Sequence, residues 1–191
     1  MKTYLGTQEI AHLEKEATNL RDRLLIRTLS HVGCRVSEAL ALEVKDIDTV
    51  QGTVTIKHLK SRLKLSCPQC GARLGRSYVF CPGCGTRVER VIAEEREHRH
   101  LRILPVDKET LRMLQDYIRR GGPVTRKGKR LIFDIHRHRA WQIIHDCAEK
   151  ANLPKLVNPE TGRVHGVSPH RLRDAAVHSF LIEREGWWLN H

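Results

Sequence analysis

Apolar residues recur at helical spacing through the first part of the chain. Ile10, Leu13 and Ala17 share one face of a helix beginning near Thr7, and Leu25, Leu29 and Val32 repeat the pattern through RDRLLIRTLSHV. Gly33 follows, at a place where helices end in a left-handed turn. A short helix then opens with Ser37 as its N-cap and turns Ala39, Leu40 and Leu42 inward. Next the period shortens to two. GTVTIKHL puts Val54 and Ile56 on one side of a strand, and HRHLRILPV puts Leu101 and Ile103 on one face of another. Between these strands the alternation breaks, as it would if residues 65–97 were inserted into the tip of a hairpin. DKETLRMLQDYIRR returns to helical spacing, capped by Asp107, with Leu111, Leu114 and Ile118 inward and Gly121 closing it. GGPVTRKGKR reads as a mobile, phosphate-facing loop, and RAWQIIHDCAEKANL as an amphipathic helix burying Trp141, Ile144 and Ala148. NPETGRVHGVSP turns the chain into a last helix, with Ser168 as N-cap, Pro169 at the first helical position, and Leu172, Ala176, Ser179 and Phe180 toward the core. The fold class is therefore mixed, mainly α, with a small antiparallel hairpin or sheet.

Charge changes the picture from fold to partner. The 191 residues carry 34 Lys and Arg against 22 Asp and Glu, a formal charge of +12, which favours a polyanion, with nucleic acid first. No apolar run approaches the length of a membrane span and no signal peptide opens the chain, so no membrane partner and a cytoplasmic, nucleoid-associated location are expected.

Four of the six cysteines form two Cys-Pro-X-Cys-Gly units, Cys67/Cys70 and Cys81/Cys84. In a chain without an export signal this pattern reads as metal rather than disulfide. Glycine in each knuckle lets backbone amides turn toward sulfur, and two pairs supply the four ligands of a tetrahedral, structural Zn2+ site with no open position for catalysis. An insert this small cannot fold on its own core, whereas structural zinc contributes on the order of 10 to 16 kcal/mol in peptides. Cys34 and Cys147 lie among apolar neighbours and read as small buried residues. His98 and His100 lack a third ligand and read as surface.

Two other positions carry phosphate chemistry. Arg35 sits in the tight junction between two helices, where a guanidinium that cannot swing freely suits bidentate phosphate recognition; it could equally tie the helix ends together through their open carbonyls. His170 falls in the first turn of the last helix with Arg173 three residues on, so both face an end where free amides and the helix dipole favour an anion. Such a histidine can also move a proton near neutral pH.

GCRVSEALAL followed by KDID, the strand ending RILPV, and SPHRLRDAAVHSFL, in that order, resemble the catalytic domain of the tyrosine recombinases, the phage integrase family. The resemblance covers nearly all of residues 1–186 outside the cysteine segment. It implies the family's catalytic fold over 1–191, with a zinc ribbon inserted at 65–97. It further implies site-specific recombination of duplex DNA through a phosphotyrosine, with other recombinase protomers as partners. Arg35 and Arg173 would clamp the scissile phosphate, His170 would orient and handle the proton, and Glu38 would support them. The proton-donating lysine would lie on the hairpin: Lys60 fits best by position, with Lys57 and Lys64 as alternatives. That chemistry needs no metal, so the zinc would not touch the reacting phosphate.

The family places its tyrosine nucleophile, preceded by a further His or Trp, well downstream of the His-X-X-Arg motif. Here Tyr4, Tyr78 and Tyr117 all precede it, and Trp187, Trp188 and His191 follow too soon. The expectation is a C-terminally truncated domain, inactive alone, that lacks the family's N-terminal DNA-binding domain and binds DNA weakly and salt-sensitively. The alternative is a non-catalytic zinc-ribbon module that binds DNA or regulates, derived from an integrase.

Overall fold

Eight residues of α2 (Leu20–His31) are buried, so the other helices are arranged around it. Leu24, Leu25, Ile26 and Leu29 meet the core, but Arg27, Thr28 and Ser30 are buried as well and must find partners. Thr28 and Ser30 donate to the carbonyls of Leu24 and Ile26 within the helix, at 2.7 and 2.9 Å. The Arg27 guanidinium reaches Glu14 (2.9 Å) on α1 (Thr7–Lys15) and, at the start of α4 (Lys108–Arg119), Asp107 (3.0 Å), Glu109 (3.1 Å) and the Thr110 hydroxyl (2.7 Å). Burial opposes the charge on Arg27, but Glu14 and Asp107 outweigh it and raise its pKa. One arginine thus ties three helices together.

This computed structural model describes residues 2–75 and 77–189, with the side chains of 58–64, 94–100 and 180–189 excepted. Two compact units emerge: residues 1–57 with 102–191, and residues 58–101.

In the first unit, α1 starts one residue earlier than its cap signal, with Gly6 as N-cap, and buries Ile10 and Leu13. At the end of α2, Gly33 adopts φ +67°, as its place in the sequence requires, and its α-carbon approaches α6 so closely that a Cβ would sit 3.4 Å from that of Ala176. The next helix, α3 (Val36–Leu40), takes Arg35 as N-cap instead of Ser37. The reason is Glu38: its carboxylate reaches back to accept the Arg35 backbone N–H at 2.8 Å, half of a capping box. A 3-10 turn, Val44–Asp46, leads into β1 (Ile47–Asp48).

That short strand pairs antiparallel with β2 (Thr53–Ser66), Ile47 opposite Val54, and β2 also pairs with β4 (Ile92–Pro105). Val54 and Ile56 enter the core as their alternation predicts. Leu101 and Ile103 do share a face of β4, but it is the exposed one; Leu104 and Val106 pack inward instead. Asp107 caps α4, accepting the Thr110 N–H at 2.9 Å.

GGPVTRKGKR is a hairpin rather than a loop. Strands β5 (Val124–Arg126) and β6 (Lys129–Leu131) pair antiparallel, and Lys127 (φ +49°) and Gly128 (φ +73°) both take the left-handed turn that matches strand twist. The chain continues as α5 (Arg137–Lys150), a small ladder of β7 (Leu156–Val157) with β8 (Val164–His165), and α6 (Pro169–Leu189), which packs on α2. Among the described residues no helix is long and apolar enough to cross a membrane.

The second unit contains two knuckles with the same backbone pattern. Cys67 N–H donates to Ala72 and Gly71 N–H to Cys67; Cys81 N–H donates to Thr86 and Gly85 N–H to Cys81, all at 2.8–2.9 Å. Strand β3 (Arg73–Leu74) pairs with β2, and Phe80 pairs with Arg87. Its buried core is Cys67, Leu74 and Cys81, against which Leu65, Ala72 and Val88 pack.

Candidate phosphate site and metal centre

Arg35, His170 and Arg173, distant in sequence, line one cavity of about 580 Å³ together with Val36, Ser37, Ser168, Pro169, Arg137 and Trp141. Each arginine is held from behind. Glu38, buried on α3, accepts Arg35 Nη1 at 3.2 Å and Arg102 Nη2 from β4 at 2.7 Å. Arg173 donates through Nε to the Gly33 carbonyl at 3.1 Å, one of the carbonyls left open where α2 ends. Side chains fixed in this way lose little further freedom when they close on a ligand. His170 stands in the first turn of α6, where Leu172 N–H donates to Ser168 O, and is open to solvent; Asp174 lies 3.8 Å from its Nε2. Two guanidinium groups and a helix N-terminus around one opening make an anion site.

Arg137 and Trp141 escaped the sequence reading. They lie one helical turn apart on α5, and Trp141 is 44% exposed, stacked on His145 at 4.8 Å, instead of buried. Apolar spacing assigns a tryptophan to the core by default; here Ala140, Ile143, Ile144, Cys147 and Ala148 already fill the covered side of α5, leaving Trp141 as a wall of the cavity. The usable signal was a basic residue four positions before it on the same face. A neighbouring cavity of about 450 Å³ is shared by His170 and Arg173 with Tyr4, whose ring stacks on His178 at 4.3 Å. Tyr117 is half-buried on α4, its ring filling the space beside Gly122.

Of the three lysines, Lys57 is already engaged: its Nζ lies 2.5 Å from Asp46 and 3.4 Å from Glu43. Burial works against its charge, yet the two carboxylates raise its pKa. Lys60 and Lys64 lie in β2 with side chains outside the described residues, as do those of His98 and His100 in β4 and of Trp187 and Trp188 in α6; His191 lies outside the described residues altogether. Burial, with Glu38 adding to it, pushes the Cys34 thiol up to about 12, so it is a packing residue and not a nucleophile.

The four cysteines of the second unit do converge. Their sulfurs lie within 4.8 Å of one another, Cys67 to Cys84 at 3.8 Å and Cys70 to Cys81 at 3.5 Å. Ligands about 2.3 Å from a tetrahedral zinc are about 3.8 Å apart, so the spacing fits such an ion. Electrostatics agree. Hydrogen bonding with the side chain and backbone of Thr86 holds Cys84 down at about 6. At Cys70 the Ala72 amide pulls downward, but the surrounding sulfurs and burial push it up to about 12. Four thiolates so close require a cation among them. The centre can hold one metal ion, and all four ligands are thiols.

A sequence profile of the phage integrase family matches residues 6–69. The tyrosine recombinase XerD of Mycobacterium tuberculosis is 29% identical over 170 residues, covering 84% of this chain and 38% of that protein. The chain thus spans about two fifths of the length of that relative. Among solved structures, the XerA recombinase superposes with a TM-score of 0.61 at 19% identity, over 95% of this chain and 50% of that one. XerH bound to its palindromic difH substrate gives 0.59 at 16%, over 95% and 42%. The fold, the order of its elements and the partial sequence matches agree in their likeness to the tyrosine recombinases of the phage integrase family.

Proposed function

We propose that this chain binds duplex DNA and activates a scissile phosphodiester for site-specific strand cleavage and rejoining, with residues 65–97 forming an inserted structural zinc ribbon. The observation that carries the reading is the single cavity lined by Arg35, His170 and Arg173 at the N-terminus of α6. In cleavage, a tyrosine hydroxyl bonds to phosphorus and the bond to the 5′ oxygen breaks. No residue is assigned as that tyrosine. Negative charge builds on the non-bridging oxygens, where Arg35 and Arg173 stabilise it from fixed positions. His170 orients the phosphate and manages the proton. Lys60 protonates the departing oxygen, with Lys64 as the alternative, because the Lys57 ammonium is committed to Asp46 and Glu43. Arg137 adds a third positive charge and Trp141 an aromatic wall. Held by Cys67, Cys70, Cys81 and Cys84, a zinc ion would have no open position and would serve folding only. A recombinase that assembles on DNA in the cytoplasm, with further protomers, is the context that fits.

The test is fluorescence anisotropy on labelled duplex DNA across a salt series. Arg35→Ala and Arg173→Ala should each weaken binding and reduce the slope of log affinity against log salt by about 0.9, the loss of one phosphate contact. Arg35→Lys should keep the slope yet fail to form a covalent protein–DNA adduct in reactions supplemented with a tyrosine-bearing protomer, since a point charge lacks the forked geometry. If both alanine variants bind as wild type while Cys67→Ser abolishes binding, the chain is a zinc-ribbon binding module instead.

A further inference from the structure

Residues 58–101 hold nine Lys and Arg against four Glu, a surplus of five positive charges that a four-thiolate zinc centre would lower by two. Among the described residues of this unit, both aromatic side chains are outside. Tyr78 is 49% exposed, Val79 59% and Phe80 60%. A ribbon whose buried core is Cys67, Leu74 and Cys81 had every incentive to cover its aromatics, and it does not.

Local geometry shows how they are presented. Val88 N–H donates to Val79 O at 2.8 Å and Cys81 N–H to Thr86 O at 2.8 Å, so residues 79–81 and 86–88 form a short antiparallel rung with Phe80 directly opposite Arg87. Tyr78 lies two positions before Phe80, at the end of a turn closed by its N–H on the Gly75 carbonyl at 3.2 Å. Its ring lies against Gly75, where an added Cβ would be 3.2 Å from Cε1, and the side chain is otherwise half exposed. Arg73, Arg87 and Arg90 are exposed on the same unit. Val79, between Tyr78 and Phe80, meets Val88 through its backbone carbonyl, while its side chain is exposed as well.

From two exposed aromatic rings two positions apart, one of them opposite Arg87, on a unit that also exposes Arg73 and Arg90, we infer that the ribbon is a stacking platform for unpaired bases of a DNA strand. Base–aromatic stacking tolerates any sequence because every base offers a π face, and the arginines meet the backbone phosphates. The charge surplus selects a polyanion over an apolar protein surface. This contact is separate from the cavity of the first unit and does not depend on the reading of that cavity.

The experiment uses the whole zinc-loaded chain, with zinc content measured for every variant. Anisotropy is recorded on a labelled oligothymidine strand and on a labelled duplex. The double variant Tyr78→Ala/Phe80→Ala should retain its zinc, lose about tenfold or more in affinity for the single strand, and change little on the duplex. Tyr78→Phe/Phe80→Tyr, which keeps both rings, should restore single-strand binding. Arg87→Ala should lower the salt slope by about 0.7 on the single strand. Unchanged single-strand affinity in the alanine pair overturns the inference. So does an equal loss on both DNAs, or a self-association, seen by sedimentation, that the alanine pair abolishes. Arg35→Ala should leave oligothymidine binding intact, so failure of the cavity reading and failure of this one give different patterns.

Discussion

Removing the Glu38 carboxylate should damage both the stability of the domain and the aim of its phosphate site. The group is buried, and among the described contacts it accepts the Arg35 backbone N–H at 2.8 Å, Arg35 Nη1 at 3.2 Å and Arg102 Nη2 at 2.7 Å. Hydrogen bonds to charged groups are worth about 1.5 to 3 kcal/mol each. Both guanidinium groups are about two fifths exposed (44% and 37%), which screens their share strongly. Counting about 1 kcal/mol for the helix-capping contact and about 1 kcal/mol for each screened arginine, Glu38→Ala should cost about 3 kcal/mol. Against a typical total of about 5 to 15 kcal/mol this is large, and it should lower the urea midpoint by about 1 M or more. Glu38→Gln keeps an acceptor for the Arg35 amide while removing the charge, so it should cost about half as much. Urea titrations followed by circular dichroism give the stabilities, and a double-mutant cycle with Arg102→Ala isolates that pair, expected to couple by about 1 kcal/mol. If Glu38→Ala unfolds within about 0.5 kcal/mol of wild type, the idea that this carboxylate anchors Arg35 is wrong.

Other outcomes follow from the same contacts. Stripping the metal with a strong chelator, or Cys81→Ser, should unfold residues 58–101 while the helical signal of the first unit persists, and one zinc per chain should be released; retention of the ribbon's amide signals in NMR without metal would refute the structural role. Asp107 is held down at about 2 because the Thr110 hydroxyl and amide and the Arg27 guanidinium outweigh the burial that would raise it, and His31 Nδ1 lies 3.9 Å away. A depressed carboxylate stabilises fully above its ordinary value near 3.8 and loses that contribution as pH falls through about 2. Partial exposure reduces it to about 1 kcal/mol, so the urea midpoint of wild type should fall between about pH 5 and about pH 2.5 more steeply than that of Asp107→Asn. Trp141→Ala should cost less than about 1 kcal/mol in stability, far below the roughly 3 to 5 kcal/mol of a core tryptophan, while weakening duplex binding; a core-sized loss on denaturation would contradict its place on the cavity wall.

Much of this was readable because it depends on neighbours in the chain. Helix periodicity, the left-handed glycine after α2, the Asp107 cap and the Ser168-Pro169 start are set within a few residues of themselves. So is the cysteine spacing, since each knuckle closes on its own backbone and only the pairing of the two knuckles is long-range. Where sequence reasoning missed, some causes were local and others lay in distant elements. Glu38 moved the α3 cap to Arg35, and a lysine in the left-handed turn made a hairpin of what composition reads as loop. Apolarity alone told which face of β4 carries Leu101 and Ile103, but not that water covers it. Trp141 matched a core position, yet whether a side chain on that face meets core or cavity depends on how α3, α5 and α6 pack, which no local pattern encodes. The sequence by itself determined which groups could bind phosphate and metal; tertiary structure decided which of them meet, because the Arg173 guanidinium, 140 positions from the Gly33 carbonyl, finds it only when α6 packs on α2.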